Sequence, residues 1–102
     1  MIALVWTYRV KPECRSVFEA IYSPAGDWAK LFRQAAGYLG TELLRQADGR
    51  YATIDRWSQA ADFERFKERF RAAYDVLDRR CESITLEEQF LGCFEVYAGE
   101  AG

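Results

Sequence analysis

The segment Gly37–Ser58, GYLGTELLRQADGRYATIDRWS, holds two runs rich in β-formers, Tyr38 to Arg45 and Tyr51 to Trp57, on either side of Asp48-Gly49. Asp-Gly is the pair that most readily accepts positive φ, so a tight hairpin is expected there. Ser58 has the side-chain oxygen to cap a helix that follows Trp57. A strand and a helical region precede this hairpin, and a helix and a strand follow it. The order β-α-β-β-α-β predicts an α+β ferredoxin-like plait with an antiparallel sheet.

Outward from the hairpin, Ile2–Val10 (IALVWTYRV) reads as the first strand. Ile2, Leu4, Trp6, Tyr8 and Val10 share one face, and Ala3, Val5, Thr7 and Arg9 the other. A sheet with helices on one side alone alternates apolar and polar residues. Here both faces are largely apolar, which predicts that a second copy covers the far face. Pro12 opens a helix in which Val17, Phe18, Ile21 and Tyr22 form one stripe. Ser23-Pro24-Ala25-Gly26 breaks it into an elbow. Asp27 is placed to cap a second piece, with Trp28, Leu31, Phe32 and Ala35 at helical spacing and Gly37 as its C-cap.

Beyond the hairpin, Phe63, Phe66, Phe70, Ala73, Leu77 and Cys81 predict the buried stripe of one long helix. Its charged remainder reads as a solvated face with pairs such as Asp75–Arg79. Ile84 and Leu86 lead to a last strand, Glu88 to Tyr97, in which Phe90, Phe94 and Val96 oppose Leu91, Cys93 and Tyr97. Residues 1–102 are expected to form a single domain, with 98–102 a frayed tail.

Charge and cysteine usage narrow the function classes. A net charge of −2 argues against nucleic acid, since a phosphate-binding face must be basic. The apolar run at Ile2–Tyr8 is too short for a membrane span and lacks a signal-peptide layout, so a cytoplasmic location is expected. Cys14, Cys81 and Cys93 are widely spaced free thiols with no metal-binding spacing. The chain has no histidine, which removes Ser-His and Cys-His nucleophiles, facial-triad iron and a proximal-His haem. No metal and no cofactor are expected.

GDWAKLFRQAAGYLGTELLR (Gly26 to Arg45) and YATIDRWSQAADFERF (Tyr51 to Phe66) resemble the antibiotic biosynthesis monooxygenase domain family, of the dimeric α+β barrel superfamily. The similarity runs from Ile2 to Val96, and the GYLGTEL and DRWS segments are its most specific parts. It implies a homodimer of two plaits paired through their sheets. One branch of the family oxidises polycyclic phenols with O₂ and no cofactor. In another, haem is degraded using an Asn on the first strand and a Trp and a His on the second helix. Those three positions are Tyr8, Phe66 and Tyr74 here, which disfavours haem degradation by that route.

A cofactor-free oxygenase must exclude water, hold an aromatic ring and stabilise its anion. Trp6, Tyr8, Trp28, Phe32, Phe66, Phe70 and Tyr74 all fall on the helix-facing side of the sheet, or on helices facing it, and could line a substrate pocket. Aromatic residues at helical spacing are equally expected of plain core. Trp57 either gates a ligand or packs where the following helix begins. Tyr8 and Tyr74 are the stronger candidates for catalysis, because a buried phenol needs a partner and a ligand can be one. Asp55 and Arg56 point to opposite faces, and the inward one should be paired, with Glu42, Arg45, Arg9 or across the dimer, or be catalytic. Asp55 is the one general-base candidate. If a ligand binds between sheet and helices, the elbow at Ser23–Gly26 should border its mouth. Two readings remain: a cofactor-independent monooxygenase of an electron-rich aromatic, or a non-catalytic dimeric module that binds a small hydrophobic ligand.

Overall fold

The computed structural model describes residues 1–98, so the expected tail, 98–102, falls outside the described residues apart from Ala98. The elements are β1 (Ile2–Val10), α1 (Arg15–Tyr22), α2 (Asp27–Phe32), β2 (Tyr38–Arg45), β3 (Arg50–Trp57), α3 (Ala60–Arg69), α4 (Arg71–Glu82) and β4 (Thr85–Glu95), with a 3-10 turn at Pro12–Cys14. The four strands form one antiparallel sheet in the order β2-β3-β1-β4. This is the ferredoxin-like α+β plait that the order of elements predicted.

The hairpin forms where expected, with a different turn. The Gln46 carbonyl accepts from Gly49 N–H at 3.1 Å, and Gln46 N–H donates to the Arg50 carbonyl at 2.8 Å. Only Gly49, at φ 90°, is in the left-handed region; Asp48 is not. The loop is thus a three-residue turn ending on a glycine, in which Asp48 Oδ1 accepts from Arg50 N–H at 3.1 Å. Ser58 caps no helix. Helix α3 starts one residue later, behind Gln59, and both Ser58 N–H and Oγ–H donate to the Gly37 carbonyl, at 2.7 and 3.3 Å. Ser58 thereby closes the base of the hairpin.

The two-piece first helical region is present. Asp27 is the first residue of α2 rather than its cap, and its carboxylate meets Arg80 of α4 at 3.5 Å. Helix α2 ends at Phe32, earlier than expected. Gly37, at φ 92°, turns the chain into β2 instead of capping the helix. The long second helix is in fact two, with Phe70 (φ −110°, ψ 24°) at the joint. Across the joint the inward stripe stays in step, Phe66, Phe70, Tyr74, Leu77 and Cys81, with Asp78 beside it and Ala73 exposed. On the outer face the ion pair formed is Arg65–Asp62; among the described residues, Asp75 and Arg79 make none.

Strand β4 begins at Thr85 and departs from simple alternation. Trp6 pairs with Phe90 and Val5 with Gly92, leaving Leu91 as an extra residue. This bulge puts Phe90 and Phe94 on opposite faces. Phe90 packs against Trp6 at 4.8 Å, whereas Phe94 pairs with Ala3 on the far side. Val96 and Tyr97 lie past the end of the strand.

The core is the layer between sheet and helices. Leu4, Tyr8, Tyr51 and Trp57 from the sheet meet Phe18, Ile21, Tyr22, Trp28, Leu31, Phe32, Phe66, Leu77 and Cys81 from the helices. Trp57 is its centre, fully buried, with Phe32, Tyr38, Phe63 and Phe66 packed round it at 5.3–5.7 Å. The opposite sheet face carries Val5, Ala52, Ile54, Leu44 and Phe94 with no layer over it, and the last two are about half exposed. Among the described residues no helix is long and apolar enough to cross a membrane.

Candidate active site

Two concavities among the described residues border the sheet. The roomier, about 690 Å³, is an open hollow at one end of the sheet, lined by Thr7, Arg9, Leu44, Arg45, Arg50 and Glu87 among others. Its arginines are already engaged: Arg9 with Glu87 at 3.9 Å, Arg45 with Glu19 at 3.2 Å and Arg50 with Asp48 at 3.6 Å. Tyr8 and Tyr51 also line it, but among the described residues its one lining carboxylate, Glu87, is exposed and paired with Arg9.

The second lies between the sheet and the helices, and it is where titratable groups meet aromatic walls. Its free volume is about 40 Å³, room for water but not for an aromatic ring unless side chains move. Strands supply Leu4, Trp6, Tyr8, Thr41, Thr53, Asp55 and Glu88. Helices supply Tyr22, Trp28, Phe32, Phe63, Tyr74 and Asp78. Three carboxylates therefore face this cavity, and among the described residues no Lys or Arg lines it.

Asp55 is the inward member of the Asp55–Arg56 pair. It stands on β3 opposite Leu4 and Thr41, and it is nine-tenths buried. Of the expected cationic partners it meets none. Arg56, on the far face, pairs with Glu42 instead. Among the described residues Asp55 accepts one side-chain hydrogen bond, from the Thr41 hydroxyl at 2.7 Å. Burial dominates that one favourable bond and pushes the Asp55 carboxyl up to about 6.

The two candidate phenols both line the cavity. Tyr8 is buried, and its hydroxyl is 3.0 Å from Thr53 Oγ1. Burial, and then the charges of Asp55 and Glu88, hold it well above the usual phenol range against the lowering effect of Thr53. Tyr74 packs edge-on against Trp28 at 5.1 Å, with the Lys67 ammonium 5.3 Å from its ring centre. Its hydroxyl has no hydrogen-bond partner among the described residues, and burial, followed by Asp78 and Glu88, pushes it up to about 12. Both phenols are thus protonated donors at any ordinary pH. Glu88 at the rim is raised too, by partial burial and by Asp78 and Glu82.

Of the expected aromatic lining, Trp6, Trp28 and Phe32 are on the wall. Trp57, Phe66 and Phe70 are not. Trp57 and Phe66 lie in the sealed core, and Phe66 and Phe70 border a different hollow beside Asp62 and Arg65. The elbow at Ser23–Gly26 does not border the cavity either; its flanks, Tyr22 and Trp28, do. The buried indole N–H of Trp28 has no partner among the described residues.

Thr41, Thr53, Asp78 and Glu88 are cavity residues that the sequence reading misses. The hairpin carries the signal for two of them, since period-2 alternation from Asp55 gives Thr53 and cross-strand pairing gives Thr41. Asp78 lies one helical turn on from Tyr74. Glu88 shares the helix-facing side of β4 with Phe90, two residues on, and stands opposite Tyr8.

The fold and site together define a ferredoxin-like domain with a carboxylate in an aromatic cavity. The chain belongs to the antibiotic biosynthesis monooxygenase family, which it matches over residues 1–75. Among solved structures it is similar to SnoaB, a cofactor-independent oxygenase from Streptomyces nogalater, at 17% identity and a TM-score of 0.79, covering 99% of this chain and 97% of that one. It is also similar to the haem degrader MhuD from Mycobacterium tuberculosis, at 20% identity and a TM-score of 0.72, covering 98% and 99%. At these identities the likeness is one of fold. No curated protein matches the chain.

Proposed function

We propose that this protein is a cofactor-independent monooxygenase that oxidises an electron-rich aromatic, a quinol or polyketide-type phenol, with O₂. The observation that carries the proposal is Asp55, a carboxylate held among aromatic rings with one neutral hydrogen bond and a pKa of about 6. Such a group accepts a proton near neutral pH, as a general base must. A phenol that loses its proton to Asp55 becomes electron-rich enough to reduce O₂. One oxygen atom enters the ring as the quinone carbonyl and the other leaves as water, which takes the ring C–H proton and one proton from solvent, so the substrate supplies all four electrons. Tyr8 and Tyr74 donate hydrogen bonds to the phenolate as it forms. Trp6, Trp28, Phe32 and Phe63 hold the ring and keep water out.

A cavity of about 40 Å³ requires the wall to open for a ring to enter. Tyr74 and Phe63, only partly buried on α4 and α3, are the side chains that open it. The active form is a homodimer joined across the open sheet face, whose apolar residues a second copy covers. Among relatives the haem degrader offers a different model. The chain has no histidine to hold haem iron, so that reading is not adopted.

The test is oxygen uptake on mixing the protein with a panel of quinols and polycyclic phenols in chelator-treated buffer. Uptake that exceeds autoxidation and falls away in Asp55→Asn supports the proposal. No uptake over the whole panel leaves a non-catalytic ligand-binding module as the function.

A further inference from the structure

Tyr38 and Thr41 are three residues apart on β2, a spacing that in a regular strand sends two side chains to opposite faces. Here both face the helices. Tyr38 pairs with Trp57 and Gly40 with Arg56, so Leu39 is an extra residue and β2 bulges. Gly40 sits at φ 145°, a conformation that side-chain-bearing residues rarely adopt, yet a Cβ there would meet nothing within 4 Å. Backbone shape, not lack of room, calls for glycine. Bulges of this kind re-aim side chains beside functional sites.

The bulge creates a line of three oxygens. Thr41 donates its one hydroxyl proton to Asp55 Oδ1 at 2.7 Å. Tyr38 lies 2.6 Å from Thr41 Oγ1 and must therefore be the donor in that bond. The Tyr38 ring is fixed by Phe32 at 5.4 Å and Trp57 at 5.3 Å. Its strand is at the edge of the sheet, and the residue is half-buried, so the line runs from the cavity floor toward solvent.

We infer that Tyr38 and Thr41 are a hydroxyl wire that carries to solvent the proton Asp55 takes from its substrate. The inference rests on the proposed role of Asp55 as base. After Asp55 is protonated, the two hydroxyls turn to donate outward. Three protons then each move one oxygen along: Asp55 to Thr41, Thr41 to Tyr38, Tyr38 to water. Each O–H bond broken is replaced by another and no electron changes hands. The end state is the starting one, with Asp55 a carboxylate and both hydroxyls donating inward. The other groups facing Asp55 are Tyr8 from β1, Tyr74 and Asp78 from α4, and Glu88 from β4. None of them is hydrogen-bonded to it, so among the described residues the wire is its one side-chain hydrogen-bond partner.

Three variants test the wire: Thr41→Val, Thr41→Ser and Tyr38→Phe. The Asp55 carboxyl is titrated by carbon-13 NMR, and kcat and KM for oxygen uptake are followed against pH. Thr41→Val should raise the Asp55 midpoint and move the acidic limb of the rate profile with it, and Thr41→Ser should restore both. Tyr38→Phe, which keeps the ring, should lower kcat about tenfold with KM unchanged, the equivalent of one lost hydrogen-bonded step. An Asp55 midpoint unmoved in Thr41→Val, or an unchanged kcat in Tyr38→Phe, overturns the wire. Wild-type protein inactive toward every phenol overturns the proposed function and the transport role together. Active wild type with indifferent variants overturns the wire alone.

Discussion

Thr41 and Asp55 stand directly opposite each other in the β2–β3 ladder, and the Thr41 hydroxyl donates to Asp55 at 2.7 Å. Among the described residues that one bond is the side-chain hydrogen bond given to a carboxylate nine-tenths removed from water. A charge held so sparsely costs stability and is kept where it serves chemistry.

The cost of Asp55 is measurable as a pH dependence. The folded state holds the Asp55 proton up to about pH 6, while the unfolded chain releases it near 3.8. The folded state therefore binds more protons between these values, and stability falls as pH rises through that window. A carboxyl raised that far costs about 3 kcal/mol once it is ionised. Asp55→Asn should accordingly be more stable than wild type at pH 8, by up to about 3 kcal/mol, with the difference shrinking toward pH 4. Urea titrations at both pH values check this, and equal stabilities at pH 8 would show that Asp55 is better compensated than the structure has it.

Tyr8 and Tyr74 should respond differently to loss of a hydroxyl. Tyr74 has no hydrogen-bond partner among the described residues, so Tyr74→Phe should leave the melting temperature nearly unchanged while kcat/KM falls about a hundredfold, one oxyanion donor's contribution. Tyr8→Phe strands the buried Thr53 hydroxyl and should cost stability as well, about 1 to 3 kcal/mol. Paired calorimetry and kinetics on the two variants decide it. A Tyr74→Phe protein with full activity would remove Tyr74 from the site.

How far the sequence can be read depends on which features are local. Strand β1 and the hairpin strands are set by period-2 patterning and a glycine turn, and they match to within a residue. Asp55 and Tyr8 fall on the cavity wall for the same reason, since alternation alone decides their face. Phe66 and Phe70 belong to the core side and not the cavity, because hydrophobic periodicity says which face is buried and not whether a cavity or core lies beneath it. Ala73 falls at the edge of a stripe that runs Phe66, Phe70, Tyr74, Leu77, Cys81, whereas Phe94 is turned to the far face by the bulge at Leu91. In a strand, alternation carried across such a bulge inverts every later assignment. The bulge at Leu39 hides Tyr38 in the same way.

The open sheet face predicts the assembly state. Val5, Ile54, Leu44 and Phe94 form an apolar surface on the side of the sheet away from the helices. Sedimentation velocity at micromolar concentration should give a dimer. Ile54→Glu places a charge at the middle of that face, directly across the ladder from Glu42, and should yield monomer with the fold retained by circular dichroism. A wild-type monomer would refute the sheet-to-sheet arrangement. So would a dimer indifferent to Ile54→Glu.

Gly26 provides a test of how the helix elbow sets the cavity wall. Its φ of −85° suits any residue, so conformation does not demand glycine here. Space does: a Cβ would run into the backbone carbonyl oxygens of Ala20 and Ile21 in the last turns of α1. Backbone cannot yield as a flexible side chain would, so Gly26→Ala must push α2 away from α1. The Gly26 carbonyl also accepts from Lys30 N–H at 2.9 Å, so the displacement starts at the first turn of α2 and reaches Trp28 and Phe32 on the cavity wall. Overpacking of this kind costs about 1 to 3 kcal/mol. In a chain this short that lowers the melting temperature by roughly 10 °C. Ala25→Gly, one residue earlier, serves as the control and should shift it much less. If Gly26→Ala melts with wild type, the two helices are not held at the close approach that shapes the cavity.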